Sequence, residues 1–123
     1  VTRGIRVEVN AHYVPDRSRP ADSHWFFAYH IRISNEGTET VQLLSRHWII
    51  ANAHDEEEEV KGPGVVGAQP VLEPGQQFEY TSFCPLDTPF GSMRGTYQMV
   101  TRSGEQFDAE IATFALVEPF SVN

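Results

Sequence analysis

The chain has 123 residues, with 9 Lys plus Arg against 17 Asp plus Glu, for a formal charge of −8. One domain spanning 1–123 with its own core is expected at this length, and the acidic balance excludes a non-specific binder of nucleic acid or anionic membrane. A content of 40% hydrophobic and 11% aromatic residues supplies that core and excludes disorder.

Period-two alternation dominates from the start. Ile5, Val7, Val9, Ala11 and Tyr13 share one parity against Arg6, Glu8, Asn10 and His12, which predicts a half-buried strand. Pro15, Arg17, Pro20 and Asp22 make a turn-rich connection. A second strand then places Trp25, Phe27, Tyr29, Ile31 and Ile33 on the core face. Asn35-Glu36-Gly37-Thr38 is expected to reverse the chain through residues tolerant of positive φ. The third strand runs from about Thr40 through Ala53, where Leu43-Leu44 and Trp48-Ile49-Ile50 put apolar groups on both faces. A strand covered on two sides, or one broken by a bulge, would read that way. The acidic run Asp55 to Glu59 is expected as a solvated hairpin tip. Gly62, Pro63, Gly64, Gly67, Pro70, Pro74 and Gly75 then forbid helix and predict an extended, looping stretch. Phe78, Tyr80 and Ser82 resume alternation. Arg94 to Thr101 and Gln106 to Leu116 flank Ser103-Gly104-Glu105 as a last hairpin, with Tyr97 and Met99 opposed to Phe107, Ala109 and Ile111. Six or seven strands with no amphipathic helix give an all-β chain, an antiparallel β-sandwich with immunoglobulin-like or fibronectin-like layering.

Chemistry-bearing motifs are sparse. The lone Cys84 permits no intrachain disulfide and no thiolate zinc knuckle, which fits a reducing compartment. Trp48 to Ala51 is the longest apolar run, far short of a membrane span, so the chain reads as cytoplasmic. Gly62 to Gly67 matches G-x-G-x-x-G, but Val65, Val66 and Pro70 deny it the helix N-terminus that a dinucleotide site needs. Two readings of the loop stay open: a geometric role for its glycines, or an anion nest of Lys61 with the backbone of Gly62, Gly64, Val65 and Gly67. No metal site is assigned, because consecutive side chains in the acidic run diverge and His12, His24, His30, His47 and His54 form no ligand pattern. Ser82 lacks a nucleophile elbow and Cys84 a catalytic signature, so no catalytic residue and no cofactor is expected. Arg46 and Trp48 are candidates for a partner-binding surface, against the alternative that Trp48 is core.

Leu43-Leu44-Ser45-Arg46-His47-Trp48, the segment Glu59 to Gly67, Gln69-Pro70, Tyr80-Thr81-Ser82 and Gly91-Ser92-Met93-Arg94-Gly95-Thr96-Tyr97 together resemble the ApaG family. The similarity runs over nearly the whole chain. The resemblance implies a fibronectin type III-like sandwich, found as a small bacterial protein and as a domain of eukaryotic F-box and polymerase-interacting proteins, where it looks like a protein-binding module. It implies no enzymatic activity, and it brings a link by name to cobalt and magnesium tolerance. Two departures stand out: the density of Asp55 to Glu59, and Ala112 where the family commonly has Pro. The reading is a non-enzymatic module with an unidentified protein partner. The alternative is a phosphate, pyrophosphate or nucleotide binder using the loop at 62–67.

Overall fold

The structure, a computed structural model, describes residues 2–119. Strands β1 (Ile5–Tyr13), β2 (Trp25–Asn35) and β6 (Gln77–Leu86) form one antiparallel sheet in the order β1-β2-β6. The second sheet has the order β4-β3-β7-β8, from β3 (Val41–Asn52), β4 (Glu57–Pro63), β7 (Phe90–Thr101) and β8 (Gln106–Val117). The two-residue β5 (Val71–Leu72) pairs with β3 beyond the end of β4. Single 3-10 turns at Pro15–Arg17 and Pro20–Asp22 carry the β1–β2 connection.

The core face of β2 is the expected one. Phe27, Ile31 and Ile33 are fully buried, Tyr29 nearly so, and Trp25 packs against them partly covered. From the facing sheet come Leu43, Trp48, Met93, Tyr97, Met99 and Ile111. Of the two readings of β3 the bulge is the one found: its register against β7 slips between Leu43 and Ser45, and although it lies inside its sheet between β4 and β7, Leu44 and Ile49 on its outer face are only half-buried. Gly95 permits the close approach of β7 to β3, since a Cβ there would lie 2.0 Å from the His47 carbonyl oxygen.

Two local expectations are corrected. Asn35 to Thr38 does not fold β2 back onto a partner in its own sheet; it carries the chain to the other sheet. Left-handed residues are not what shapes it, since neither Asn35 nor Gly37 has positive φ. The Asn35 side chain does so by accepting from the Gly37 amide and donating to the Glu39 and Leu72 carbonyls. The acidic run is likewise not one hairpin tip. Ala53 and His54 make the turn, Asp55 takes a left-handed φ of 60°, and Glu57 to Glu59 enter β4. The Asn52 carboxamide oxygen sets this by accepting from the amides of both His54 and Glu56. Glutamates are poor strand formers but suit a solvated edge, where their charge blocks pairing with another chain.

The two flanks of the sandwich differ. On one, β1 approaches β8 and is tied there by the Glu110 amide donating to the Thr2 hydroxyl and by Arg3, which pairs with Glu105 and Glu39. On the other, β4 and β6 are the outer strands of their sheets, with β3 and β2 as their strand partners.

Candidate functional site

The open flank holds three depressions that share their walls. One of about 380 Å3 lies between the Gly-rich loop and Tyr29, Arg46, Tyr80 and Ser82. A central one of about 250 Å3 shares Tyr29, Arg46 and Ser82 with it and adds Trp48, Val60, Cys84 and Met93. The third, about 480 Å3, shares Ile50, Glu58 and Pro85 with the centre and ends at Glu56, Asp87 and His24. Together they make one groove along β4, about 20 Å long at the ordinary strand rise of roughly 3.3 Å per residue.

Strand parity explains who faces it. Arg46 and Trp48 share the inner face of β3, while His47 points outward and pairs with Glu59 at 3.0 Å. Trp48 is 2% exposed, so it offers no free surface of its own and contributes the groove's inner wall instead. Its Nε1 is buried and has no hydrogen-bond partner among the described residues. Arg46 is half-buried. One guanidinium nitrogen, Nη1, donates to the carbonyls of Pro63 at 3.1 Å and Gly64 at 2.9 Å. Nε and Nη2 have no partner, and no carboxylate pairs with Arg46, among the described residues. Gly62 makes the placement possible, because a Cβ on it would stand 3.0 Å from Nη2.

The Gly-rich loop is a closed turn. Val65 and Ala68 exchange amide-to-carbonyl bonds at 2.8 Å, and the Gly64 amide donates to Leu44. Val66 and Gly67 between them have φ of 43° and 80°, the left-handed pair of a tight primed turn. A β-branched Val with positive φ is a strained placement, and this one is 59% exposed. Of the anion-nest candidates, the amides of Gly64 and Val65 already have acceptors within the chain, and Gly62 is a rung of the β3–β4 ladder. The Gly67 amide, with that of Val66, has none among the described residues. Lys61 stands apart from the others, exposed on the outer face opposite His47.

Titration follows burial. Burial pushes the Cys84 thiol up to about 12, with the Glu58 carboxylate adding to it, so near neutral pH the group is a protonated, hydrophobic wall rather than a nucleophile. Burial also raises the Tyr29 phenol, while the Ser82 hydroxyl and the Arg46 charge pull it down. Tyr80 and Tyr97 share a 2.5 Å hydroxyl bond under the loop, and burial raises both well above the ordinary phenol range. Among the described residues no three His, Cys, Asp or Glu side chains converge where they could hold a metal ion, and no helix is long and apolar enough to cross a membrane.

Backbone groups of β6 complete the site. The Asn35 amide bonds to the Gln76 carbonyl, so the antiparallel pairing continues through residues 78, 80, 82 and 84. The amides and carbonyls of Gln77, Glu79, Thr81 and Phe83 therefore point away from β2, toward the open flank, with the donor-less Pro85 closing the row. Phe83 is 50% exposed and stacks on Phe26 at 5.4 Å, with the Arg17 guanidinium 4.3 Å from the Phe26 ring centre. Sequence reasoning missed this edge and the acidic end of the groove. Strand order, which brings β4 and β6 to one flank, is what creates both.

The fold and its motifs recur in known proteins. A Protein ApaG of Anaeromyxobacter dehalogenans (strain 2CP-C) is 57% identical over 123 residues, covering 100% of this chain and 97% of the relative. That of Rhodospirillum centenum is 55% identical over 119 residues, 97% of this chain and 92% of the relative. The crystal structure of an ApaA protein from Bordetella pertussis superposes with a TM-score of 0.91 at 50% identity, covering 94% of each chain. The ApaG domain model matches residues 15–101, a span that holds β2 to β7, the Gly-rich loop and Arg46. With that span matched and relatives aligned end to end, the chain belongs to the ApaG family.

Proposed function

We propose that this chain is a non-enzymatic, cytoplasmic interaction module that binds a protein partner through its open flank. The observation that carries the reading is the exposed backbone edge of β6 lying beside a groove lined by Arg46 and Trp48. An unpaired edge offers main-chain hydrogen bonds to an extended segment, and the groove offers pockets for its alternate side chains. Arg17 over Phe26 and Phe83 adds an exposed Arg–aromatic cluster of the kind that anchors interfaces. The wall groups argue against covalent chemistry: the phenols are paired, and the thiol is held protonated by burial, with the neighbouring Glu58 carboxylate pushing it further up. On this reading a link to cobalt or magnesium tolerance runs through the partner rather than through a bound ion.

The test is capture of a partner by wild type and by Thr81→Pro, which removes an edge donor at Thr81. A protein bound by wild type and lost by Thr81→Pro at unchanged melting temperature supports the reading, and equal capture by both refutes it. A second reading, phosphate or pyrophosphate at the loop, is favoured by the amides of Val66 and Gly67, which have no acceptor among the described residues, near an Arg46 with no carboxylate partner among them. Titration with inorganic pyrophosphate that moves those two amide resonances saturably at micromolar concentration would establish it.

A further inference from the structure

Resting on the interaction reading above, we infer that the groove selects an extended peptide of polarised charge: a Lys or Arg near its N-terminal end and an Asp or Glu six residues later. The groove itself is polarised. Arg46 at one end is a half-buried cation with open donors and no carboxylate partner among the described residues. At the other end the Asn52 amide nitrogen holds the Glu56 carboxylate at 2.8 Å and the Asp87 carboxylate at 3.1 Å, gathering two like charges on one donor. Glu58 stands beside them, and no cation pairs with any of the three among the described residues. Between the ends, Trp48, Val60 and Cys84 make an apolar stretch, where the buried Trp48 Nε1 lacks an acceptor.

Direction follows from β6. It runs from Tyr80 at the Arg46 end to Leu86 at the acidic end, and antiparallel pairing is the more stable arrangement per residue. A segment added antiparallel to β6 enters at Glu56 and Asp87 and leaves at Arg46, which places its basic residue first. Side chains alternate across a strand, so positions 1, 3, 5 and 7 of a heptapeptide face the groove and span about 20 Å. Basic, apolar, apolar and acidic side chains at those positions match the groove from end to end.

Two blocked heptapeptides test this, KTVTVTD and its charge-reversed partner DTVTVTK, titrated into the intact protein by calorimetry and amide NMR. KTVTVTD is expected to bind about tenfold more tightly, as charge-assisted bonds at both ends would give, and to move the amides of Glu79, Thr81 and Phe83. Arg46→Gln and, separately, Glu58→Gln should each narrow the gap. The Glu58 side chain makes no hydrogen bond among the described residues, so that variant keeps the test open if Arg46→Gln fails to fold. Equal affinity for the two peptides, with the β6 amides moving, overturns the polarity and leaves the edge reading intact. If neither peptide moves those amides, both readings fall. Displacement of KTVTVTD by micromolar pyrophosphate, with shifts confined to Val66 and Gly67, assigns Arg46 to phosphate and overturns the proposal.

Discussion

Removing either hydroxyl of the Tyr80–Tyr97 pair should have unequal costs, and the inequality can be worked from the structure. The two oxygens lie 2.5 Å apart, with Tyr97 fully buried and Tyr80 7% exposed at the groove wall. Tyr80→Phe strands the Tyr97 hydroxyl in the core, where an orphaned polar group costs about 1–3 kcal/mol. Tyr97→Phe leaves the Tyr80 hydroxyl able to turn toward water in the groove, so its cost should fall near the lower end of that range. The double variant removes donor and acceptor together and should resemble Tyr97→Phe, giving a coupling equal to the Tyr80→Phe cost, about 1–3 kcal/mol. Urea unfolding of the four proteins at pH 7, with a common m-value, measures each term. Additive single effects, with coupling below about 0.3 kcal/mol, would show that the hydroxyls do not depend on each other.

Gly64→Ala should destabilise by at least about 2 kcal/mol, because φ is 61° and the added Cβ would meet the Ala68 carbonyl oxygen at 2.3 Å; Gly67→Ala, with φ of 80° and open space, should cost only the left-handed penalty of about 1 kcal/mol. Thermal melts that rank the two equally would refute the geometric role of the loop. Val66→Asn should raise stability by about 1 kcal/mol, as Asn tolerates the φ of 43° that strains Val. Unchanged or lowered stability would mean that the turn relaxes without cost. Ile31→Ala, at a fully buried site facing the second sheet, should lose about 2–5 kcal/mol by denaturant unfolding, and a change within error would place the core elsewhere. Stability should also fall in alkali. A native Cys84 pKa of about 12 lies above its unfolded value near 8.5, so the native state holds the extra proton. That contribution is intact below about pH 8.5 and is lost as pH rises toward 12, by at most about 1.4 kcal/mol per pH unit. Between pH 9 and 10 the slope should flatten in Cys84→Ala, and an unchanged slope would contradict the burial of the thiol.

Much of the fold was legible because alternation is a local property. Ile5 to Tyr13 and Trp25 to Ile33 name their buried faces without reference to any partner strand, and Tyr97 opposite Ala109 follows from one short turn. The β2–β3 connection was not legible as a crossing between sheets, because Asn35-Glu36-Gly37 suits a hairpin equally well and only the pairing of β2 with β6 excludes it. Charge also misled: Glu57 to Glu59 read as loop from composition, whereas an edge strand tolerates them. For the site, residue identity outran geometry. Arg46 is in the groove as a cation with no carboxylate partner among the described residues, but Trp48 reaches it from the core, and Lys61 points to the opposite face because one residue of strand reverses a side chain.

The site's location follows from an asymmetry in how the two flanks are closed. At the β1–β8 flank the chain supplies its own cations and donors, with Arg3 answering Glu39 and Glu105 and the Glu110 amide answering Thr2. At the β4–β6 flank the same kinds of groups stand unanswered among the described residues: Arg46 without a carboxylate, Glu56, Glu58 and Asp87 without a cation, and alternate backbone groups of β6 without a strand. Residues sufficient for mutual pairing are present along this groove, but the strand register holds Arg46 opposite Gly62 and Glu58 opposite Ile50, four rungs apart on β3. At roughly 3.3 Å per rung their backbones stand about 13 Å apart, and among the described residues the two side chains form no ion pair. A second extended segment, carrying both signs at the matching spacing, can answer each of these groups without any change in the sandwich.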